Sequence, residues 1–283
     1  MKKFTNNVLL IKVAFLFVVF CNAVVDVSHK VLLQNIAFKI FDGSEQVVWI
    51  SIINAMIIIP FLLLFTVSGY LSDKYNKKDI LIYGAVSSFI LSVLMIFSYI
   101  TGNFYLAMFN LVLLAVQSAI YSPAKFGIIL DIWGKKSLSK GNSALQSVSI
   151  IAILFAIASG SLIFEKFYDV NNLSVLSTKE ALLDAILPLT YYIVPVALLE
   201  MLISLFVLKK LKTSYNSNAK LELDKKELIK GKLLGKNIKT IYSNNIIFLS
   251  VIGLSVFWAI SQGLMAVFPS FAKQYLGIND VFV

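Results

Sequence analysis

Apolar residues fall in seven long runs along this chain, with short polar breaks between them. The runs lie at roughly 8–38, 47–70, 79–100, 103–125, 142–164, 186–208 and 245–270, and each holds the ~20 residues a bilayer-crossing helix needs. The breaks carry turn chemistry. Asp42-Gly43-Ser44-Glu45 follows the first run, Thr101-Gly102-Asn103 the third and Gly134-Lys135-Lys136 the fourth. The first run is longer than a bilayer requires, so it is expected to tilt or to project beyond the hydrocarbon. The pattern predicts an all-α, polytopic membrane protein.

Lysine placement orients the spans. Lys74, Lys77 and Lys78 sit between the second and third runs, and Lys135, Lys136 and Lys140 between the fourth and fifth. Ten lysines lie between Lys209 and Lys239, against Glu222, Asp224 and Glu227. The alternate loops are lysine-poor, and the longest, 165–184, carries Glu165, Asp169, Glu180 and Asp184 against Lys166 and Lys179. Positive charge collects on the cytoplasmic side of membrane proteins, which puts the N-terminus and the lysine-rich loops inside. The sixth and seventh runs are separated by the basic segment 209–243. The expected organisation is a six-helix bundle over 1–208, a cytoplasmic linker over 209–243 and the start of a second bundle over 244–283. Within the linker, Leu221–Leu234 interleaves charges with leucines. It reads as a solvated connector, or as a surface helix drawn to anionic lipid. The chain stops at Asp280-Val281-Phe282-Val283, where the pattern places an outside loop and the first residues of an eighth span. Seven spans make no symmetrical unit, so a truncated second half is expected.

Composition agrees with a bilayer environment. The chain of 283 residues is 59% hydrophobic and 14% charged, with a mean hydropathy of +0.85; soluble domains are nearer a quarter charged. The net charge of +10 would suggest nucleic acid in a soluble protein, but here the lysines mark topology, and no nucleic-acid partner is expected. All 25 basic residues are lysines, so any anionic headgroup must be met by point charges, hydroxyls or backbone rather than by a guanidinium fork. The single cysteine, Cys21, excludes an internal disulfide, and the single histidine, His29, a multi-histidine metal centre. Neither a metal nor a cofactor is called for. Met1-Lys2-Lys3 before an apolar run resembles a signal peptide. The run continues too far for one, and Phe20 is too bulky to precede a lipidated cysteine.

The most specific motif is Gly69-Tyr70-Leu71-Ser72-Asp73-Lys74-Tyr75-Asn76-Lys77-Lys78, joining the second and third runs. Gly69 would let helices approach closely, Asp73 can accept hydrogen bonds or pair with a cation at a helix end, and the lysines fix orientation. This segment resembles the loop signature of the major facilitator superfamily. The resemblance implies a fold of two six-helix halves, each made of two inverted three-helix repeats. It further implies that Asp73 helps hold the halves together on the cytoplasmic side. Three further segments resemble the lysophospholipid transporter branch, which includes transporter domains fused to acyltransferase and acyl-activating domains. They are Asp26-Val27-Ser28-His29-Lys30 (with Val27 and Ser28 departing from the branch's usual residues), Gln117-Ser118 with Pro123-Ala124-Lys125-Phe126-Gly127-Ile128, and Gly141-Asn142-Ser143-Ala144-Leu145. This resemblance implies inward movement of lysophospholipid across a bacterial inner membrane. Re-acylation would follow on the cytoplasmic side, by a fused domain or a separate protein.

Charged residues inside a span cost about 2.5–3.5 kcal/mol each on insertion scales, so they are usually paired or functional. Asn22, Asp26 and Lys30 recur at i, i+4 and i+8 on one helical face, with His29 beside them. They read either as a self-neutralising pair, in the favourable order for an i, i+4 contact, or as a polar site. In such a site Lys30 would meet a phosphate and Asp26 an amine. Glu200 lies mid-span with no partner at i±4. It is open to proton coupling, to contact with a substrate amine, or to being an uncharged acid held by its surroundings. Lys125 could contact headgroups or a substrate phosphate, or snorkel to the interface. Gln117 and Ser118 could hydrogen-bond across helices, and Trp258, Gln262 and Pro269 could line a cavity or pack. There is no phosphate-binding loop of the Gly-x4-Gly-Lys type and no hydrolytic constellation, so neither an ATP motor nor an enzyme is expected. Lysophospholipid transport is the first reading. A proton-coupled drug or small-solute antiporter, with Asp26 and Glu200 titrating, is the second. A non-transporting truncated remnant is the third.

Overall fold

The computed structural model describes residues 2–211, 213 and 232–278. The protein is all-α. Helices α1 (Lys2–Ile40), α2 (Gly43–Lys74), α3 (Lys77–Ile100), α4 (Phe104–Gly127) and α5 (Ile129–Trp133) come first. They are followed by α6 (Leu138–Val170), α7 (Lys179–Ala185), α8 (Ile193–Phe206), α9 (Lys232–Tyr242) and α10 (Asn245–Tyr275). Among the described residues, seven stretches are long and apolar enough to span a membrane, matching the seven runs of the sequence. Most of the basic linker, and with it most of the Leu221–Leu234 stretch, lies outside the described residues. So do Asp280–Val283.

Local chemistry sets the helix ends. Asn76, Asn103 and Asn244 each cap the helix that follows, their side chains accepting from backbone N–H groups of the first turn. Gly102 and Gly134, at φ +60° and +73°, supply the left-handed turns that reverse the chain after α3 and α5. Helices exceed the apolar runs because hydropathy marks hydrocarbon thickness, not helix length. Thus α2 takes in Gly43-Ser44-Glu45 and Ser72-Asp73-Lys74, and α6 extends from Leu138 through Glu165 to Val170. The sixth span is composite: a 3₁₀ segment Leu187–Tyr192 with Pro188 in its first turn, then α8, then a 3₁₀ turn Leu208–Lys210. The 165–184 segment is no open loop. Glu165 belongs to α6 and pairs with Lys39 of α1 at 2.5 Å, and α7 packs its Leu182 and Leu183 into the core.

The main helix pairings have an internal symmetry. The largest contacts are α1 with α6 and α2 with α4, followed by α3 with α4 and α1 with α8. Exchanging the first three spans with the next three maps each of these pairs onto its counterpart, as two repeats of three helices would. Close approach relies on small side chains. On α3 the buried face runs Leu81, Ala85, Ser88, Ser92, Met95, Tyr99, and Gly84 beside it gives the Tyr121 ring of α4 room. Among the described residues three apolar clusters result: a large one around Leu32, Ile53, Tyr99 and Phe164, a second around Phe15, Leu81, Tyr121 and Leu145, and a small one of Val24, Ala152 and Ala156.

Candidate functional site

A cavity of about 740 Å³ lies between α1, α2, α4, α6 and α10, within the size range of small-molecule sites. Its walls differ in chemistry. The helical repeat of α1 presents Asn22, Asp26, Lys30 and Gln34, and that of α4 presents Ser118, Ser122 and Lys125. Facing them are Ile50, Ile57 and Phe61 from α2, Ile153 and Ile157 from α6, and Leu264, Met265 and Phe268 from α10. The cavity is therefore amphipathic, with its polar side made by the two symmetry-related helices α1 and α4.

Asp26 is fixed from across the helix interface: the Ser118 hydroxyl donates to its Oδ2. Its Oδ1 is buried with no hydrogen-bond partner among the described residues. No ion pair within 4 Å joins Asp26 to Lys30 among those residues, so the i, i+4 spacing does not produce a self-neutralising pair here. Lys125 lies over the rings of Tyr121 and Phe126, at 5.9 and 5.7 Å, within electrostatic reach of both Asp26 and Glu200. Among the described residues, the charged side chains of the wall are thus two amines and one carboxyl, an excess suited to an anionic group. Trp258, Gln262 and Pro269 also line the cavity.

Glu200 is placed elsewhere. It is wholly buried behind the polar wall, where Ser88 Oγ of α3 donates to its Oε2 at 3.2 Å. Asn22 lies beside the same carboxyl group without completing a hydrogen bond to it. His29 also turns away from the cavity. Its Nε2 donates to the Ala107 carbonyl at 2.9 Å, since a carbonyl only accepts, and the Tyr99 hydroxyl donates to Nδ1 at 3.3 Å. Gln117 Nε2 donates to the Gly84 carbonyl at 3.1 Å, tying α4 to α3. The polar residues Ser122, Gln34 and Ser149 line the cavity without having stood out in the sequence. The repeat Ser118, Ser122, Lys125 at i, i+4, i+7 was the available signal for the first of them.

The loop motif forms a separate structure, and none of its residues lines the cavity. Lys78 Nζ donates to the Leu211 carbonyl at 3.2 Å, and Thr213 donates to Asn76 Oδ1 at 3.1 Å, so the turn is bound to the segment after α8. The Lys77 stem covers Gly127 at the end of α4. Lys74 lies over the rings of Tyr70 and Tyr75, and Asp73 is exposed. A Cβ added at Gly69 would meet nothing within 4 Å, so no close helix approach is made there among the described residues.

Comparison with known proteins gives two findings. The family model described as Major Facilitator Superfamily matches residues 15–283. A stretch of 103 residues is 29% identical to the lysophospholipid transporter LplT of Photorhabdus laumondii subsp. laumondii. That stretch is 36% of this chain and 24% of that protein, so the match spans about a quarter of the relative. No solved structure gives a significant match.

Proposed function

The chain belongs to the major facilitator superfamily, and from that premise we propose that it is a secondary transporter moving lysophospholipid across the bacterial inner membrane by alternating access. The supporting observation is the amphipathic cavity: two amines and one carboxyl on the α1–α4 side, aliphatic and aromatic side chains opposite. A lysophospholipid has the same division, a phosphate and an amine at one end and a single acyl chain at the other. Lys30 lines the cavity, makes no ion pair among the described residues, and would meet the phosphate. The unpartnered Oδ1 of Asp26 can accept from the amine, and Lys125 adds a second cation. The partial likeness to a lysophospholipid transporter supports the same substrate.

In this proposal the lysine-rich loops face the cytoplasm. Residues 1–208 form the first bundle, 209–243 the linker and 244–283 the beginning of the second bundle. Asp73, exposed at the cytoplasmic end, would pair across to the second bundle, and Lys74, Lys77 and Lys78 would hold that turn in place. An acyltransferase domain or protein on the cytoplasmic side would consume the delivered lipid. The buried carboxyl of Glu200, separated from the cavity by Asn22, favours a second reading, proton-coupled export of a small solute.

Binding of radiolabelled lysophosphatidylethanolamine to the purified protein in nanodiscs tests the assignment. Hydrogen bonds to charged groups contribute ~1.5–3 kcal/mol, so Lys30→Met is expected to weaken binding about ten- to hundredfold. Asp26→Ala should weaken binding of the ethanolamine lipid but not of lysophosphatidylglycerol, which has no amine. Wild-type affinity in Lys30→Met would remove the phosphate site.

A further inference from the structure

The contact between α10 and the rest of the protein is concentrated at one place. The buried residues of α10 are Ser270 and Ala272, and the polar contacts around them all reach the α1–α2 turn. Lys273 Nζ donates to the carbonyls of Phe38 and Phe41 at 2.8 and 3.3 Å. It also pairs with Asp42 at 2.7 Å and lies 5.2 Å from the centre of the Phe38 ring. One turn earlier, Ser270 Oγ donates to the Gly43 carbonyl at 3.2 Å. Gln274 packs so closely on Gly43 that a Cβ there would stand 3.0 Å from its Nε2.

We propose that Lys273 is a latch that closes the outer end of the cavity by capping the C-terminus of α1 from another helix. Its placement at the outer end rests on the orientation proposed above; the latch itself does not depend on the substrate. Helix α1 ends at Ile40, so its last carbonyls lack intrahelical donors and carry the negative end of the helix dipole. An ammonium group satisfies both needs. Asp42 contributes less, because its side chain is 80% exposed and an exposed pair is weakened by solvent. The latch borders the cavity directly, since Phe38, Phe268 and Pro269 line it.

One side of the latch is anchored independently of α10. Phe41 stacks on Trp49 at 5.4 Å. The Lys179 ammonium of α7 sits among Phe41, Trp49, Phe104 and Tyr105 at 5.4–5.9 Å from their ring centres. Cation–π contacts of this kind hold the turn to the six-helix bundle. When the outer end opens, α10 therefore separates from the turn, and the turn stays with the bundle.

The experiment uses the full-length protein with Cys21→Ala, a reporter Ile57→Cys in the cavity wall, and a membrane-impermeant thiol reagent applied to right-side-out vesicles. Lys273→Gln is expected to raise the labelling rate about tenfold, the scale of losing hydrogen bonds from a charged donor. Asp42→Asn should raise it less, roughly twofold. Lys273→Arg should keep it low, and this conservative variant reports on folding if Lys273→Gln expresses poorly. The exchange Asp42→Lys with Lys273→Asp should stay fast, because it restores a pair but not a cap. Wild-type labelling in Lys273→Gln, or slow labelling restored by the charge exchange, would overturn the proposal. Faster labelling from inside-out vesicles instead would overturn its outer placement. No lysophospholipid is present, so the result is separable from the substrate assignment.

Discussion

His29→Ala should destabilise the protein without altering the cavity. The imidazole is fully buried and joins three helices. It belongs to α1, donates to the Ala107 carbonyl of α4 and accepts from the Tyr99 hydroxyl of α3, and its ring lies 5.8 Å from that of Tyr99. Interhelical hydrogen bonds measured in a membrane protein average ~0.6 kcal/mol and reach ~1.7. Two of them therefore account for about 1–3 kcal/mol. The void left by the ring adds to this, since large-to-small changes in packed interiors cost ~2 kcal/mol or more. A total loss of about 3–5 kcal/mol is expected, measured as unfolding free energy in mixed detergent–lipid micelles. His29→Gln, which can keep a donor toward Ala107, should recover part of it. Because His29 does not line the cavity, the folded fraction should bind substrate with unchanged affinity. A loss below about 0.5 kcal/mol, or a tenfold affinity drop at wild-type stability, would refute the reasoning.

Gly84→Ala places a Cβ 2.5 Å from the buried Tyr121 ring, so the ring or the α3–α4 packing must shift; a loss of about 1–3 kcal/mol is expected from overpacking. An unchanged melting temperature in detergent would show that the ring yields freely. The Lys39–Glu165 pair has side chains only 10% exposed, with the Lys39 ammonium 4.5 Å from the Tyr168 ring centre. Glu165→Leu alone should cost ~3 kcal/mol by removing the carboxylate of a buried ion pair, and adding Lys39→Met should recover much of it. Equal losses in the single and double variants would argue against a buried pair.

Much of the architecture was legible because hydrophobic length is a chain-local signal. The seven runs became seven stretches of spanning length among the described residues, and the asparagines and glycines in the breaks became caps and left-handed turns. What escaped was set by partners distant in sequence. Asp26 and Lys30 share a helical face, but only the fold decides that Asp26 is held by Ser118, 92 residues away. Glu200 has no local partner because its partner is Ser88 on another helix. Ser88 and Ser92 of α3, four residues apart, share its buried face and so pack against protein rather than lipid. Glu165 was read as a loop charge because a hydropathy run ends where helices continue. The cavity's apolar wall carries no motif at all, since isoleucine and phenylalanine facing a cavity cannot be told in sequence from those facing lipid.

The most direct measurement of the central proposal is uptake of labelled lysophosphatidylethanolamine by spheroplasts containing the full-length protein, with Lys30→Ala and Asp26→Ala expressed to the same level. Uptake above that of empty membranes, reduced at least tenfold in both variants and persisting when a protonophore collapses the proton gradient, is the expected result. Uptake equal to that of empty membranes, or undiminished in both variants, would contradict lysophospholipid transport through this cavity.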